Sequence, residues 1–125
     1  MEQIRILLVD DEEDFASALA ERLVLRGFQA EVATSGIDAL RNVREDDFSV
    51  LILDVKMPGI DGLGLMAEFK RKYPDLPVIL LTGHGSVTNP ETGIKAGAFD
   101  YLMKPIDIDE LIEKITDAVG REKDQ

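Results

Sequence analysis

VLILD, residues Val50–Asp54, is a run of four apolar side chains that ends in a carboxylate. A short, unbroken apolar run reads as a strand buried on both faces, as in a parallel sheet. Two other stretches share this form. ILLV at residues 6–9 runs into Asp10 and Asp11, and YLM at residues 101–103 runs into Lys104 and Pro105. If these strands are parallel neighbours, their carboxyl ends meet at one edge of a sheet. That edge then carries three carboxylates and one ammonium, a set that attracts a hard divalent cation and then a phosphoryl group.

Working outward, strand-like and helix-like periods alternate. Phe15, Ala18, Leu19 and Leu23 recur at helical spacing behind Glu12, Glu13 and Asp14, whose charge suits a helix start. Gly27 is a good helix stop, and residues 28–33 alternate as a short strand. Ser35 can cap a second helix with Ile37, Leu40 and Val43 facing inward. Met57-Pro58-Gly59 reads as a turn, and Leu63, Met66 and Phe69 as a third helix ending near Tyr73-Pro74. Residues 78–81 and 99–103 are the last two strands. Asp107 and Glu110 resemble a capping box before Leu111, Ile112, Ile115 and Val119. Asn89-Pro90 puts the start of a short fourth helix at Pro90, because proline is tolerated only in the first turn.

Five strands alternating with five helices give an α/β, doubly wound parallel sheet covered on both faces, with strand order 2-1-3-4-5. In that order the first and third strands are adjacent at the switch point. Their ends bring Asp10, Asp11 and Asp54 together. No internal repeat or linker is visible. One domain over residues 1–121 is expected, with residues 122–125 a frayed tail.

Composition narrows the function. The chain has 125 residues and a formal net charge of -11, which disfavours contact with nucleic acid or anionic lipid. Cysteine is absent and His84 is the lone histidine, so thiolate and multi-histidine metal sites are excluded. No apolar run approaches the roughly 20 residues of a membrane span, and a soluble, cytoplasmic protein is expected.

Each acidic residue alone has a bland reading. Asp54 can start a turn, and Asp10 or Asp11 can cap the first helix. Three carboxylates at one edge repel one another unless a cation intervenes. Magnesium suits all-oxygen ligands. An aspartate can act as a nucleophile toward phosphorus, and Lys104 can offset the charge of a phosphoryl oxygen. Thr82 can donate its hydroxyl to another oxygen, or be an ordinary β-branched strand residue.

Asp10-Asp11, LDVKMPGIDG at 53–62, LLTGHG at 80–85 and AGAFDYLMKP at 96–105 occur in order and together. This set resembles the response-regulator receiver domain of two-component signalling, with a flavodoxin-like fold. The last piece most resembles receivers of nitrogen-regulator-type activators. The resemblance implies that Asp54 is the phosphoacceptor. It implies magnesium (or manganese) held by Asp11 directly, Asp10 through water, Asp54, and the main-chain carbonyl of Lys56. Thr82 and Lys104 would bind phosphoryl oxygens, and Thr82 and Tyr101 would form the switch. Lys104-Pro105 would be a cis peptide. Lys56 and His84 would tune the phosphoryl lifetime, His84 having the plainer reading of a loop residue. Phe15, Ala18 and Pro105 would meet the partner, Phe15 having core packing as its plain reading.

The function so implied is that of a magnesium-dependent phosphoacceptor switch rather than a turnover enzyme. Its partner is a sensor histidine kinase or a histidine phosphotransfer protein. The output face is built from helix four, strand five and helix five, with a homodimer on phosphorylation. A phosphorylation-independent interaction module of the same fold is the alternative. A haloacid-dehalogenase-type phosphatase would need a D-x-D motif after the first strand, where this chain has Asp10-Asp11-Glu12-Glu13. A flavodoxin-like nucleotide binder would need a phosphate loop there, which these acidic residues contradict.

Overall fold

The computed structural model describes residues 3–42, 47–54, 56–57, 60–83, 94 and 97–123. Five strands form one sheet: β1 (Arg5–Val9), β2 (Gln29–Ala33), β3 (Val50–Asp54), β4 (Val78–Thr82) and β5 (Asp100–Met103). All neighbouring pairs are parallel and the order is β2-β1-β3-β4-β5. The expected 2-1-3-4-5 arrangement is therefore observed. Four helices are found among the described residues: α1 (Glu13–Leu25), α2 (Gly36–Asn42), α3 (Gly62–Lys72) and a C-terminal helix, Ile108–Lys123. The expected helix beginning at Pro90 lies outside the described residues, as do Val43 and His84. The C-terminal helix runs to Lys123. A small antiparallel ladder pairs Lys56–Met57 with Ile60–Asp61; Pro58 and Gly59 of the expected turn lie outside the described residues.

The period of a strand separates the core into two layers. Leu7, Val9, Leu51, Leu53, Val78 and Leu80 face one side, with Met66 and Phe69 of α3 and Ala39 of α2. Ile6, Leu8, Val50, Ile52, Ile79 and Leu81 face the other, with Leu19 and Leu23 of α1 and Leu111 and Ile115 of the C-terminal helix. Alternate residues of one strand thus enter opposite layers. This is why β1, β3 and β4 read as continuous apolar runs and not as alternating ones.

Local signals act where they were expected. Gly27 adopts φ +96, a left-handed conformation that favours glycine, just past α1. The Ser35 hydroxyl accepts the Asp38 amide at 3.3 Å. Asp107 Oδ1 accepts the amides of Asp109 at 2.9 Å and Glu110 at 3.3 Å. Lys114 Nζ donates to Asp100 Oδ2 at 2.8 Å and ties the C-terminal helix to β5. One inward assignment fails. Ile37 is 49% exposed, and Gly36 and Ala39 are buried in α2 instead. Ala18 of α1 is exposed, between the buried Ala16 and Ala20. In a helix as short as α2, residues one position apart fit the spacing almost equally well, and side-chain size does not decide between them.

Phe69 is fully buried between α3 and the sheet. Phe69→Ala should cost about 3–5 kcal/mol in a urea or thermal unfolding measurement, by lost transfer energy and the cavity it leaves.

Candidate functional site

Register places the polar residues at the carboxyl edge. Val9 pairs with Leu53, so Asp10 and Asp54 follow on adjacent strands. Asp54 pairs with Leu81, so Thr82 lies one step further along β4. Thr82 pairs with Met103, and Lys104 follows, its amide donating to the Thr82 carbonyl at 2.7 Å. Asp10 (1% exposed), Asp54 (2%) and Thr82 (2%) are the buried polar residues among those described. Burying a carboxylate is costly unless it is paired and hydrogen-bonded. The partner here is Lys104.

The Lys104 ammonium sits among three carboxylates. Its Nζ lies 2.9 Å from Glu12 Oε1, 3.1 Å from Asp10 Oδ2 and 3.5 Å from Asp54 Oδ2. It also lies 4.3 Å from the centroid of the Phe15 ring, a cation–π contact. Burial pushes the lysine pKa down. The hydrogen bonds it donates to Glu12 and Asp10, and the charges of Asp10 and Asp54, outweigh this and raise it above the usual value. The Lys104-Pro105 peptide is cis.

The acidic residues divide the work unevenly. Asp10 Oδ1 accepts the amide of Glu12, the cap residue of α1, at 2.9 Å; no described side chain makes a cap hydrogen bond to that helix, so the plain reading of Asp10 or Asp11 as its cap does not hold. Asp11 is exposed and is not one of the converging carboxylates. The group that converges is Asp10, Glu12 and Asp54, each offering one oxygen within 4.8 Å of the others. These are hard oxygen donors, a set that fits magnesium or manganese. Sequence reasoning missed Glu12. It read only as a charge favouring the helix start, and its one available cue was its place three residues before Phe15 on the first turn.

The remaining expected residues fall as follows. The Thr82 hydroxyl is 3.5 Å from the Leu102 carbonyl. Tyr101 is partly buried against the Leu80 layer. Phe15 is partly buried against the Leu19 layer and touches Lys104, so core packing and proximity to the site hold together. Ala18 and Pro105 are exposed. His84 and the side chain of Lys56 lie outside the described residues. A groove of about 580 Å³ between α1 and β2, lined by Ala20, Val24, Leu25, Ala30 and Val32 among others, contains none of these groups.

The raised Lys104 pKa has a definite pH consequence. Stability from its ion pairs is complete below the unfolded lysine value, about 10.4, and is lost as pH rises through the higher folded value. Without added metal, Lys104→Met should be less stable than the parent at neutral pH, because it leaves Asp10 and Asp54 buried without their cation. In urea melts the difference should shrink steadily above about pH 10.4. A constant difference across that range would show that packing, not charge, separates the two proteins.

The chain matches the response regulator receiver domain over residues 6–116. It is 39% identical over 120 residues to an NtrX-like response regulator of Rickettsia conorii, covering 94% of this chain and 25% of that protein. A receiver domain protein from Clostridium thermocellum superposes with a TM-score of 0.89 at 35% identity, covering 96% of this chain and 97% of that one. The receiver domain of NtrX from Brucella abortus superposes with a TM-score of 0.84 at 33% identity, covering 92% and 98%. The chain spans about a quarter of the length of the NtrX-like relatives it matches. The fold, the acidic edge and a match over 6–116 agree, and the chain belongs to the response regulator receiver domain family.

Proposed function

We propose that this receiver is a phosphoacceptor switch in which Asp54 takes a phosphoryl group from a phosphohistidine of a sensor kinase or histidine phosphotransfer protein. The observation that carries the reading is the convergence of buried Asp54 with buried Asp10, buried Thr82 and the Lys104 ammonium. An Asp54 oxygen forms the new bond to phosphorus while the phosphorus–nitrogen bond to the donor imidazole breaks. The imidazole keeps the electron pair and takes a proton. Lys104 follows the charge onto the phosphoryl oxygens, and the Thr82 hydroxyl donates to one of them. The work of the site is positioning and electrostatic stabilisation. Magnesium, when bound, supplies further neutralisation of the transferring group, with Asp10, Asp11, Asp54 and the Lys56 carbonyl as its proposed protein ligands. The molecule accepts the group, helps to remove it, and does not turn over like an enzyme.

The Thr82 hydroxyl on β4 donates to the Leu102 carbonyl of β5, and Tyr101 sits two positions before Met103, the strand partner of Thr82. A pull on the Thr82 hydroxyl would free space that Tyr101 can enter. The acyl phosphate would thus shift a two-state equilibrium and change the face formed by the fourth of five helices, β5 and the C-terminal helix. Homodimerisation on phosphorylation would use that face. Lys56 and His84 would tune the phosphoryl lifetime. Phe15, Ala18 and Pro105 would meet the kinase, Ala18 and Pro105 being exposed and Phe15 lying at the site's rim. The role so proposed is cytoplasmic, and the net charge of -11 argues against direct nucleic-acid binding by this domain. None of the described helices is long and apolar enough to cross a membrane.

With magnesium and phosphoramidate, the intact mass should rise by one phosphoryl group, and Asp54→Asn should abolish the gain. An unchanged gain in the variant would sink the reading. Magnesium should also raise the melting temperature by mass action. Asp11→Asn should remove most of that rise, and a full response in Asp11→Asn would take Asp11 out of the ligand set.

A further inference from the structure

We infer that Glu12 is a positioning residue for Lys104: with Phe15 it seats the ammonium beside α1, off Asp54, until a phosphoryl group draws it away. This rests on the roles of Asp54 and Lys104 proposed above. The distances carry the inference. Lys104 Nζ donates hydrogen bonds to Glu12 at 2.9 Å and Asp10 at 3.1 Å, and stands 3.5 Å from Asp54. Glu12 has 64% of its side chain exposed, whereas Asp54 has 3%. Charge attraction is stronger where water is scarce, so attraction alone would favour Asp54. The shortest contact goes instead to the most hydrated partner.

Local geometry accounts for this. Glu12 is the cap residue of α1 and its amide is fixed by Asp10 Oδ1. Phe15, three residues on, lies on the same helix face. The carboxylate of Glu12 and the ring of Phe15 therefore contact one ammonium together. An ammonium has three N–H donors, and two are already engaged. The third is open to Asp54 or to a phosphoryl oxygen on it, and Glu12 competes with that new anion by holding the ammonium toward α1. Glu12 thereby favours the unmodified state and slows phosphorylation.

The test compares the 125-residue chain with Glu12→Gln and with Glu13→Gln. Glu13 is exposed on the same turn, is not among the partners of Lys104, and controls for a simple change of charge near an anionic donor. Three quantities are read: the phosphorylation rate with phosphoramidate, the affinity for beryllofluoride as a phosphoryl mimic in magnesium, and the affinity for magnesium alone. Glu12→Gln should raise the first two by about two- to fivefold, the range expected for one largely exposed ion pair. Glu13→Gln should leave them near the parent, and magnesium affinity should not fall in Glu12→Gln. A merely structural loss would not tighten beryllofluoride binding. Unchanged or slower phosphorylation in Glu12→Gln, or an equal gain in Glu13→Gln, overturns the inference. Weaker magnesium binding in Glu12→Gln also overturns it and makes Glu12 a metal ligand. Asp54→Asn, run alongside, separates a failure of Glu12 from a failure of the phosphoacceptor reading, which would take both down.

Discussion

The site depends on one ammonium. Asp10 and Asp54 end adjacent parallel strands and are both almost completely buried. Two carboxylates in that position have a large desolvation cost and repel each other. Lys104 reaches both, and it comes from the far end of the sheet order, just past β5. β5 therefore supplies the acidic edge with a cation that reaches both carboxylates. The bond from the Lys104 amide to the Thr82 carbonyl and the Lys114–Asp100 pair hold that strand's two ends. A change at this single lysine is consequently felt by the central strands and by an edge strand at once.

The same interaction gives the site its capacity to respond. An ammonium shared among three carboxylates has several anionic partners within reach, and a new anion on Asp54 competes with the partners already there. Coupling of this sort requires that the new group interact differently with the two arrangements. Neither a rigid bidentate pair nor an unpaired lysine would meet that requirement. The compact, flexible-stemmed lysine ammonium meets it better than a planar guanidinium would.

Much of the fold was legible because burial on both faces leaves its mark on composition. β1, β3 and β4 each carry four consecutive apolar residues, flanked by Arg5, Asp54 and Thr82, and the strand order follows from helices alternating with strands joined by right-handed crossovers. Asp54, Thr82 and Lys104 were legible for the same reason, since a polar residue at the end of such a run stands out. The orientation of α2 was not, because Ile37 and Ala39 satisfy a seven-residue pattern in competing ways. Glu12 was not legible either. Which carboxylate an ammonium chooses depends on reach and on the exit angle of the chain from strand to helix, and no periodicity records those.

Asp10, Asp11 and Glu12 make the point most sharply. They are consecutive and acidic, yet the chain leaves β1 at Asp10 and enters α1 at Glu13. Across that change of direction, successive side chains cannot share one environment. Asp10 turns inward, fixes the Glu12 amide and meets Lys104. Asp11 faces solvent, and Glu12 returns to the rim from the start of the helix. A formal charge of -11 says little about which carboxylates act together. The strand-to-helix corner decides it, by sorting three adjacent acids into a buried partner, an exposed neighbour and a rim contact for the same lysine.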